Sequence, residues 1–148
     1  MNDNIHLRRE RLSDHAAIEK IVHETFKNAP RASGNEALLA HKLRALPAFV
    51  PELDFVAEMA GNVVAGVMYT RARVVAAEGE WETLVLGPIG VLPAYQRRGI
   101  GTALIRHTQG NRTRTHHNPC KKSCVFIRLA TVIAFLWGRC RAGKRDIA

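Results

Sequence analysis

The feature that most constrains the fold is a glycine-containing turn at residues 96–101, which reads Gln-Arg-Arg-Gly-Ile-Gly. An apolar run that stops at Pro93 precedes it, and a helix-like stretch follows it at residues 102–109. We therefore predict a buried strand that leads through this turn into a helix. Such a junction directs unpaired backbone N–H groups out of the positive end of the helix, where anions bind. The two glycines allow a ligand close to the backbone, and the two arginines add permanent positive charge.

These six residues resemble the Gln/Arg-x-x-Gly-x-Gly/Ala signature of the GNAT superfamily of N-acetyltransferases. The residues before them, Gly-Pro-Ile-Gly-Val-Leu-Pro-Ala-Tyr at 87–95, resemble a segment found in a bacterial subgroup of small GNAT enzymes. The resemblance implies that acetyl-CoA is the co-substrate and that amides of the loop hold its pyrophosphate. It also implies that the end of the preceding strand pairs with the pantetheine arm.

The resemblance transfers the cofactor site to this chain residue by residue. Ile89 and Val91 are expected to offer backbone groups, while their side chains pack. The turn and the start of the helix are expected to supply the remaining groups, from Gln96, Arg97, Arg98, Gly99, Ile100, Gly101 and Thr102. An ordinary tight turn between a strand and a helix is the alternative interpretation.

Periodic patterns in the first 110 residues predict an α/β (α+β) fold with the order strand, helix, helix, three strands and helix. Ser13 is the predicted N-cap of the first helix, and Pro47 is predicted to stop the second, whose leucines lie on one side. The predicted strands cover residues 5–10, 53–59, 63–75 and 81–91, and the predicted helices cover 13–28, 35–46 and 102–109. This order resembles the first two-thirds of the GNAT fold, a mixed, mainly antiparallel sheet flanked by helices, with an atypical or incomplete C-terminal part.

The chain changes composition near residue 110. Residues 1–110 hold 13 Lys/Arg and 12 Asp/Glu, a net charge of +1, whereas residues 111–148 hold 9 Lys/Arg and 1 Asp, a net charge of +8. All three cysteines, Cys120, Cys124 and Cys140, lie in the second segment. We predict an N-acetyltransferase domain at 1–110 and a basic, cysteine-containing tail at 111–148. A reading-frame shift near codon 110 is the simplest interpretation, and a gene fusion or a divergent subfamily is the alternative.

Acetyl transfer to an amine needs a base for the proton of the amine and an acid for the departing thiolate. Glu82, at the start of the strand before the signature, is the predicted base, and a solvated carboxylate is the alternative. Glu58, His23 and Tyr69 are weaker candidates, and His23 is predicted to be a half-buried packing residue. The resemblance implies that the acid is a tyrosine after the signature helix, as in many GNAT enzymes. No tyrosine follows Tyr95 in this sequence.

Other classes of site find little support in the sequence. The basic tail lacks interleaved aromatic residues, so we expect no specific nucleic-acid partner. His116, His117, Cys120 and Cys124 match no common zinc spacing, so we expect no metal. The apolar run at 124–137 contains an arginine and is short for a membrane span, so we expect no membrane association.

The chain opens on polar residues and carries an odd number of cysteines, which predicts a cytoplasmic protein. The expected function is acetyl-CoA-dependent transfer of an acetyl group, by direct attack, to a primary amine of a small molecule or a protein. The alternative is a truncated or frameshifted remnant without catalysis that still binds acetyl-CoA. An unpaired sheet edge would invite self-association, so a homodimer is a possible assembly.

Overall fold

The computed structural model describes residues 4–29, 34–77 and 79–115, which form a four-stranded antiparallel sheet with helices on both faces. The strands are β1 (His6–Arg9), β2 (Phe55–Met59), β3 (Asn62–Ala76) and β4 (Gly79–Val91), and the helices are α1 (His15–Phe26), α2 (Glu36–Arg44) and α3 (Ile100–Thr115). The strands follow one another across the sheet in chain order, each antiparallel to the next. The predicted fold class is confirmed.

Helix α1 covers one face of the sheet. Its buried side chains lie at positions i, i+3, i+4 and i+8, as an amphipathic helix requires: Ile18, Ile21, Val22 and Phe26. They form a cluster with Val56 of β2. The helix comes very close to β3, because a Cβ added at Gly66 would lie 2.5 Å from Ile18 Cδ1. A side chain at this point of β3 would therefore require the end of the Ile18 side chain to move.

Helix α3 covers the opposite face and closes the larger core. Ile100, Leu104 and Ile105 are its buried apolar residues, and all three are less than 9% exposed. They pack with buried residues of β2, β3, β4 and the segment between α2 and β2, including Val50, Leu53, Phe55, Ala57, Val67 and Leu86. This packing fixes the start of α3 against the end of β4.

The predicted N-cap at Ser13 is wrong. A 3₁₀ turn at Leu12–Asp14 precedes α1, and Asp14 occupies the N-cap position. The Asp14 carboxylate accepts a hydrogen bond from the backbone N–H of Arg11 (2.8 Å) and another from the Arg8 guanidinium (2.6 Å). The guanidinium holds the pKa of Asp14 below its usual value. A carboxylate suits this position better than a serine hydroxyl, because its two oxygens can accept hydrogen bonds from an amide and a cation together.

The predicted apolar face of the second helix is buried only in part. Leu38 and Leu46 are each 48% exposed, and the fully buried residue of α2 is Ala40. The helix ends at Arg44, before the predicted stop, and the Arg44 side chain reaches Glu10, with 2.6 Å between Nη2 and Oε1. A small residue and an ion pair therefore hold α2, whereas Leu38 is exposed and Leu39 and Leu43 are half-buried.

A β-bulge interrupts the long β3–β4 ladder. Tyr69 pairs with Leu86 and Val67 pairs with Ile89, so that Met68 lies opposite two residues of β4. A bulge of this kind bends the strand and increases its twist, and bulges are frequent next to functional sites. It separates the outer half of β4, which begins at the β3–β4 turn, from the end that leads to the signature.

Candidate cofactor site and active site

The end of β4 directs backbone groups toward an open edge. The amide of Leu92 donates to the carbonyl of Val64 at 2.9 Å, which makes these two a hydrogen-bonded pair of the ladder. Because hydrogen-bonded and non-hydrogen-bonded pairs alternate in an antiparallel ladder, Val91 and Ile89 stand in non-hydrogen-bonded positions. Their N–H and C=O groups therefore face away from β3. Within the described residues, β3 is the one strand that pairs with β4.

The start of α3 presents a second set of backbone groups. The first hydrogen bond of the helix joins the amide of Ala103 to the carbonyl of Gly99 at 2.9 Å. The amides of residues 99–102 precede this bond and have no acceptor within the helix. Gly99 has a φ of +79° and Arg97 a φ of +60°, both left-handed, which turns the chain sharply into the helix. The positive end of the helix dipole adds to the field of these amides.

Gly101 joins the two sets of groups into one site. A Cβ added at this glycine would lie 3.7 Å from Val91 Cγ2 and 3.9 Å from Ile89 Cδ1. The helix start therefore lies directly over the side chains at the end of β4, within van der Waals distance. The structure brings together Ile89, Val91 and the amides of residues 99–102, which the sequence predicted as one cofactor site from separate elements.

The polar side chains of the turn have two different roles. Gln96 Nε2 donates to the carbonyl of Val91 at 3.0 Å, so this side chain binds the protein itself. Arg98 lies over the ring of Tyr95, 5.6 Å from its centroid, and both Arg97 and Arg98 are exposed. Both arginines are thus solvent-exposed near the helix start, whereas Gln96 ties the turn to the strand. The inward role of Gln96 was not predicted.

Thr25 of α1 also reaches the carbonyl of Val91, at 3.1 Å from its Oγ1. The sequence analysis assigned nothing to Thr25. The two residues are 66 positions apart, so no local pattern could indicate the contact. A glycine at position 90, next to the carbonyl, is the one sequence feature compatible with a close approach of another element.

Glu82, the predicted base, lies on the outer half of β4 and is exposed. Its cross-strand neighbour is Arg73. Glu82 precedes Ile89 by seven residues, which corresponds to about 23 Å along the strand at about 3.3 Å per residue. The bulge of β4 lies between them. The structure therefore does not bring Glu82 next to the cofactor residues, and its role stays a prediction.

The weaker candidates lie in other settings. Glu58 Oε2 accepts a hydrogen bond from Arg8 Nε at 2.7 Å, which places it in an ion pair between β1 and β2. His23 is exposed, so the prediction that it is half-buried is wrong. It follows Val22 in a helix whose buried stripe includes Val22 and Phe26, and a step of one residue turns it about 100° away from that stripe.

Tyr69 is a structural residue at the core. Its hydroxyl lies 2.8 Å from Thr108 Oγ1 of α3, and its side chain is almost fully buried. Thr108 itself donates to carbonyls of its own helix, at 3.0 Å to Leu104 and 2.9 Å to Ile105. Because Thr108 has one hydroxyl proton, a Thr108 that donates it to a carbonyl of its own helix would accept from Tyr69. This bond links β3 to α3 beneath the site.

The histidines and cysteines for which no zinc site is expected, His116, His117, Cys120 and Cys124, lie outside the described residues. In the described ranges, no group of three or more His, Cys, Asp or Glu side chains is arranged to hold a metal ion. Within the same ranges, no helix is long and apolar enough to cross a membrane. Helix α3 runs to Thr115, across the boundary predicted at residue 110, and that boundary stays a prediction.

Comparison with known proteins identifies the family. The model of the acetyltransferase (GNAT) domain matches residues 52–135, more than half of the 148-residue chain. A GNAT family acetyltransferase from Brucella melitensis, solved in complex with acetyl-CoA, is 31% identical with a TM-score of 0.64. The alignment covers 77% of this chain and 72% of that one. The chain therefore belongs to the GNAT acetyltransferase family.

More distant structures share the fold. The GNAT family N-acetyltransferase YhbS from Escherichia coli, in complex with CoA, is 23% identical with a TM-score of 0.58, and the alignment covers 74% of this chain and 55% of YhbS. The ribosomal-protein-S18-alanine N-acetyltransferase from Escherichia coli is 19% identical with a TM-score of 0.52, over 74% of this chain and 61% of that one. A search of curated proteins gave no match. The family match continues past residue 110, beyond the resemblance recognised in the sequence.

Proposed function

We propose that this chain is an acetyl-CoA-dependent N-acetyltransferase that acts on a primary amine of a small molecule or a protein. One observation carries the proposal: outward-facing backbone groups at the end of β4 meet the unpaired amides of α3 at Gly101. A strand edge suits the amide-containing pantetheine arm, and a helix N-terminus suits a pyrophosphate. The acetyl-CoA complex of the Brucella melitensis relative supports the same assignment.

In this proposal the site residues divide by chemistry. Ile89 binds the pantetheine arm through its backbone groups and Val91 through its N–H, since the Val91 carbonyl accepts from Gln96 and Thr25. The side chains of Ile89 and Val91 support the start of α3. Gly99, Ile100, Gly101 and Thr102 bind the pyrophosphate through their amides, which precede the first hydrogen bond of the helix. The two exposed arginines, Arg97 and Arg98, add attraction for the phosphates without taking part in bond formation. Gln96 holds the turn on the strand.

The reaction is a direct transfer. The unprotonated amine attacks the thioester carbonyl carbon, a C–N bond forms, and the C–S bond breaks with the electron pair leaving on sulfur. The proton of the attacking nitrogen passes to a base, and the thiolate takes a proton from an acid. No covalent enzyme intermediate is needed.

The direct test is a calorimetric titration of the 148-residue chain with acetyl-CoA, followed by thiol release assays over a panel of primary amines. We expect binding with one site per chain and thiol release that depends on at least one amine. Absence of binding would contradict the proposed function.

A cytoplasmic location and a homodimer stay predictions from the sequence.

Glu82 is the proposed base, and Glu82→Gln tests it. The substitution removes the carboxylate and preserves its size at an exposed position, so folding should be unaffected. We expect turnover to fall at least tenfold, since general base catalysis contributes about 10²–10⁴-fold, while acetyl-CoA binding stays constant. The matched control is Glu80→Gln, an exposed carboxylate two residues earlier. If the Glu82→Gln and Glu80→Gln variants have equal turnover numbers, another group is the base.

A remnant that binds acetyl-CoA without catalysis is the second candidate. Two observations favour it: Glu82 is distant from Ile89 along β4, and no tyrosine follows Tyr95 in the sequence. Here the same titration gives binding, while no amine in the panel gives thiol release. Replacing residues 111–148 by the in-frame C-terminal segment of a GNAT relative should then produce turnover.

A further inference from the structure

The carbonyl of Val91 connects three elements of the fold. Gln96 Nε2 donates to it at 3.0 Å from the signature turn, and Thr25 Oγ1 lies 3.1 Å from it on α1. Thr25 Oγ1 also lies 2.7 Å from the carbonyl of Ile21, one helical turn earlier. Because a hydroxyl has one proton, Thr25 shares it between the two carbonyls in a three-centre hydrogen bond.

This contact requires α1 to cross very close to the strand at Gly90. A Cβ added at Gly90 would lie 3.2 Å from Thr25 Oγ1 and 3.1 Å from Ile21 Cγ2. Both distances are shorter than ordinary van der Waals contact, so a side chain at this position would require these neighbours on α1 to shift by a few tenths of an ångström. The absence of a side chain at Gly90 therefore lets the Thr25 hydroxyl reach the neighbouring carbonyl.

The junction lies between the two halves of the proposed site. Val91 is the last residue of β4, where the pantetheine arm would bind, and Gln96 is the first residue of the turn that leads to the pyrophosphate amides. A ligand that spans both halves binds tightly when their separation matches its own length. Any shift of the strand end relative to the turn would therefore weaken a ligand that uses both halves more than a ligand that uses one.

We propose that Thr25 is a positioning residue for acetyl-CoA, which acts through the carbonyl of Val91. By holding this carbonyl from α1, Thr25 keeps the end of β4 in register with the turn that Gln96 anchors. Thr25 touches neither half of the ligand in this role. The inference rests on the proposed function, because it concerns the binding of acetyl-CoA.

The test compares acetyl-CoA with 3′-phosphoadenosine 5′-diphosphate, which keeps the pyrophosphate and lacks the pantetheine arm. Thr25→Val removes the hydroxyl and preserves the shape of the side chain. We expect it to weaken acetyl-CoA binding about fivefold, as the loss of one hydrogen bond implies, and to leave nucleotide binding unchanged. Thr25→Ser, which keeps the hydroxyl, should bind both ligands like the wild type. Calorimetry gives both dissociation constants, and thermal unfolding checks that each variant is folded.

Several outcomes would overturn the inference. Equal acetyl-CoA affinity in the wild type and Thr25→Val overturns it and leaves the proposed function intact. Equal weakening of both ligands also overturns it, because Thr25 would then support the fold in general. If the wild type binds no acetyl-CoA, the proposed function fails and this inference fails with it. If Thr25→Val does not fold, Thr25→Ala removes the same hydroxyl without adding a methyl group, and the same comparison decides.

Discussion

Replacing Arg44 by methionine should lower the free energy of unfolding by about 3–5 kcal/mol, the usual effect of leaving a buried charge without its partner. Arg44 Nη2 lies 2.6 Å from Glu10 Oε1, and the two side chains are 9% and 2% exposed. Arg44 also approaches Glu19, with 3.3 Å between Nη1 and Oε1. Methionine can fill the space of the aliphatic stem, but it leaves the Glu10 carboxylate without a cation. Urea denaturation of the wild type and the variant measures the difference.

The surroundings of Glu10 make this loss severe. Asp54 is buried beside it, and burial together with the Glu10 carboxylate raises the pKa of Asp54 to about 9. Asp54 is therefore protonated in the folded protein at neutral pH. Arg44 lowers the pKa of Asp54, whereas the more distant Asp14 raises it slightly. Arg44 is thus the cation that allows these carboxyl groups to share one buried site.

The effect of Arg44→Met should depend on pH. The folded pKa of Asp54 lies above its unfolded value of about 3.9, so the folded state binds the extra proton between these values. The stability that the proton on Asp54 contributes is fully present below about pH 4 and is lost as the pH rises through about 9. Without Arg44, deprotonation of Asp54 leaves two buried carboxylates and no cation. We therefore expect a larger loss at pH 9 than at pH 6.

The matched control for this prediction is Lys42→Met on the same helix. Lys42 is exposed, and the net charge changes by the same amount. Exposed charges of this kind contribute about 0–1 kcal/mol, so the control should unfold like the wild type. If Arg44→Met and Lys42→Met have equal stability at both pH values, the buried cluster does not hold α2 as described.

Replacing Gly101 by aspartate should weaken acetyl-CoA binding about a hundredfold, because like charges brought together at a binding site cost several kcal/mol. The new carboxylate would stand beside the amides of residues 99–102, where the pyrophosphate is proposed to bind. The stability of the ligand-free protein should not fall, since an acidic residue in the first turn of a helix is favourable. Loss of affinity without loss of thermal stability is therefore the expected pair of results.

Gly101→Ala separates charge from size in this experiment. An alanine Cβ would lie 3.7 Å from Val91 Cγ2 and 3.9 Å from Ile89 Cδ1, which is ordinary contact, so the variant should fold. We expect its acetyl-CoA affinity to fall far less than that of Gly101→Asp. Calorimetric titration of both variants and the wild type makes the comparison. Equal affinity in all three would place the cofactor site elsewhere.

The strand–turn–helix junction could be predicted from the sequence because its physics is local. The apolar run before Pro93 forms the end of β4, and α3 begins at Ile100, next to Gly99. A left-handed φ at Gly99 is a property of one residue, and unpaired amides occur at the start of every helix. The β2–β3 turn lies between the strands predicted at 53–59 and 63–75, and its residues Ala60 and Gly61 both have a positive φ.

The tertiary structure alone decided which side chains work together. Thr25 and Val91 are 66 residues apart, and Arg44 and Glu10 are 34 apart, so no pattern within one element predicts either contact. Leucine spacing favoured a buried face for α2, yet Leu38 is exposed, while Ala40 is buried and Arg44 pairs with Glu10. Periodicity indicates that a helix has an apolar side. Which side is buried depends on the close approaches and ion pairs that other parts of the chain supply.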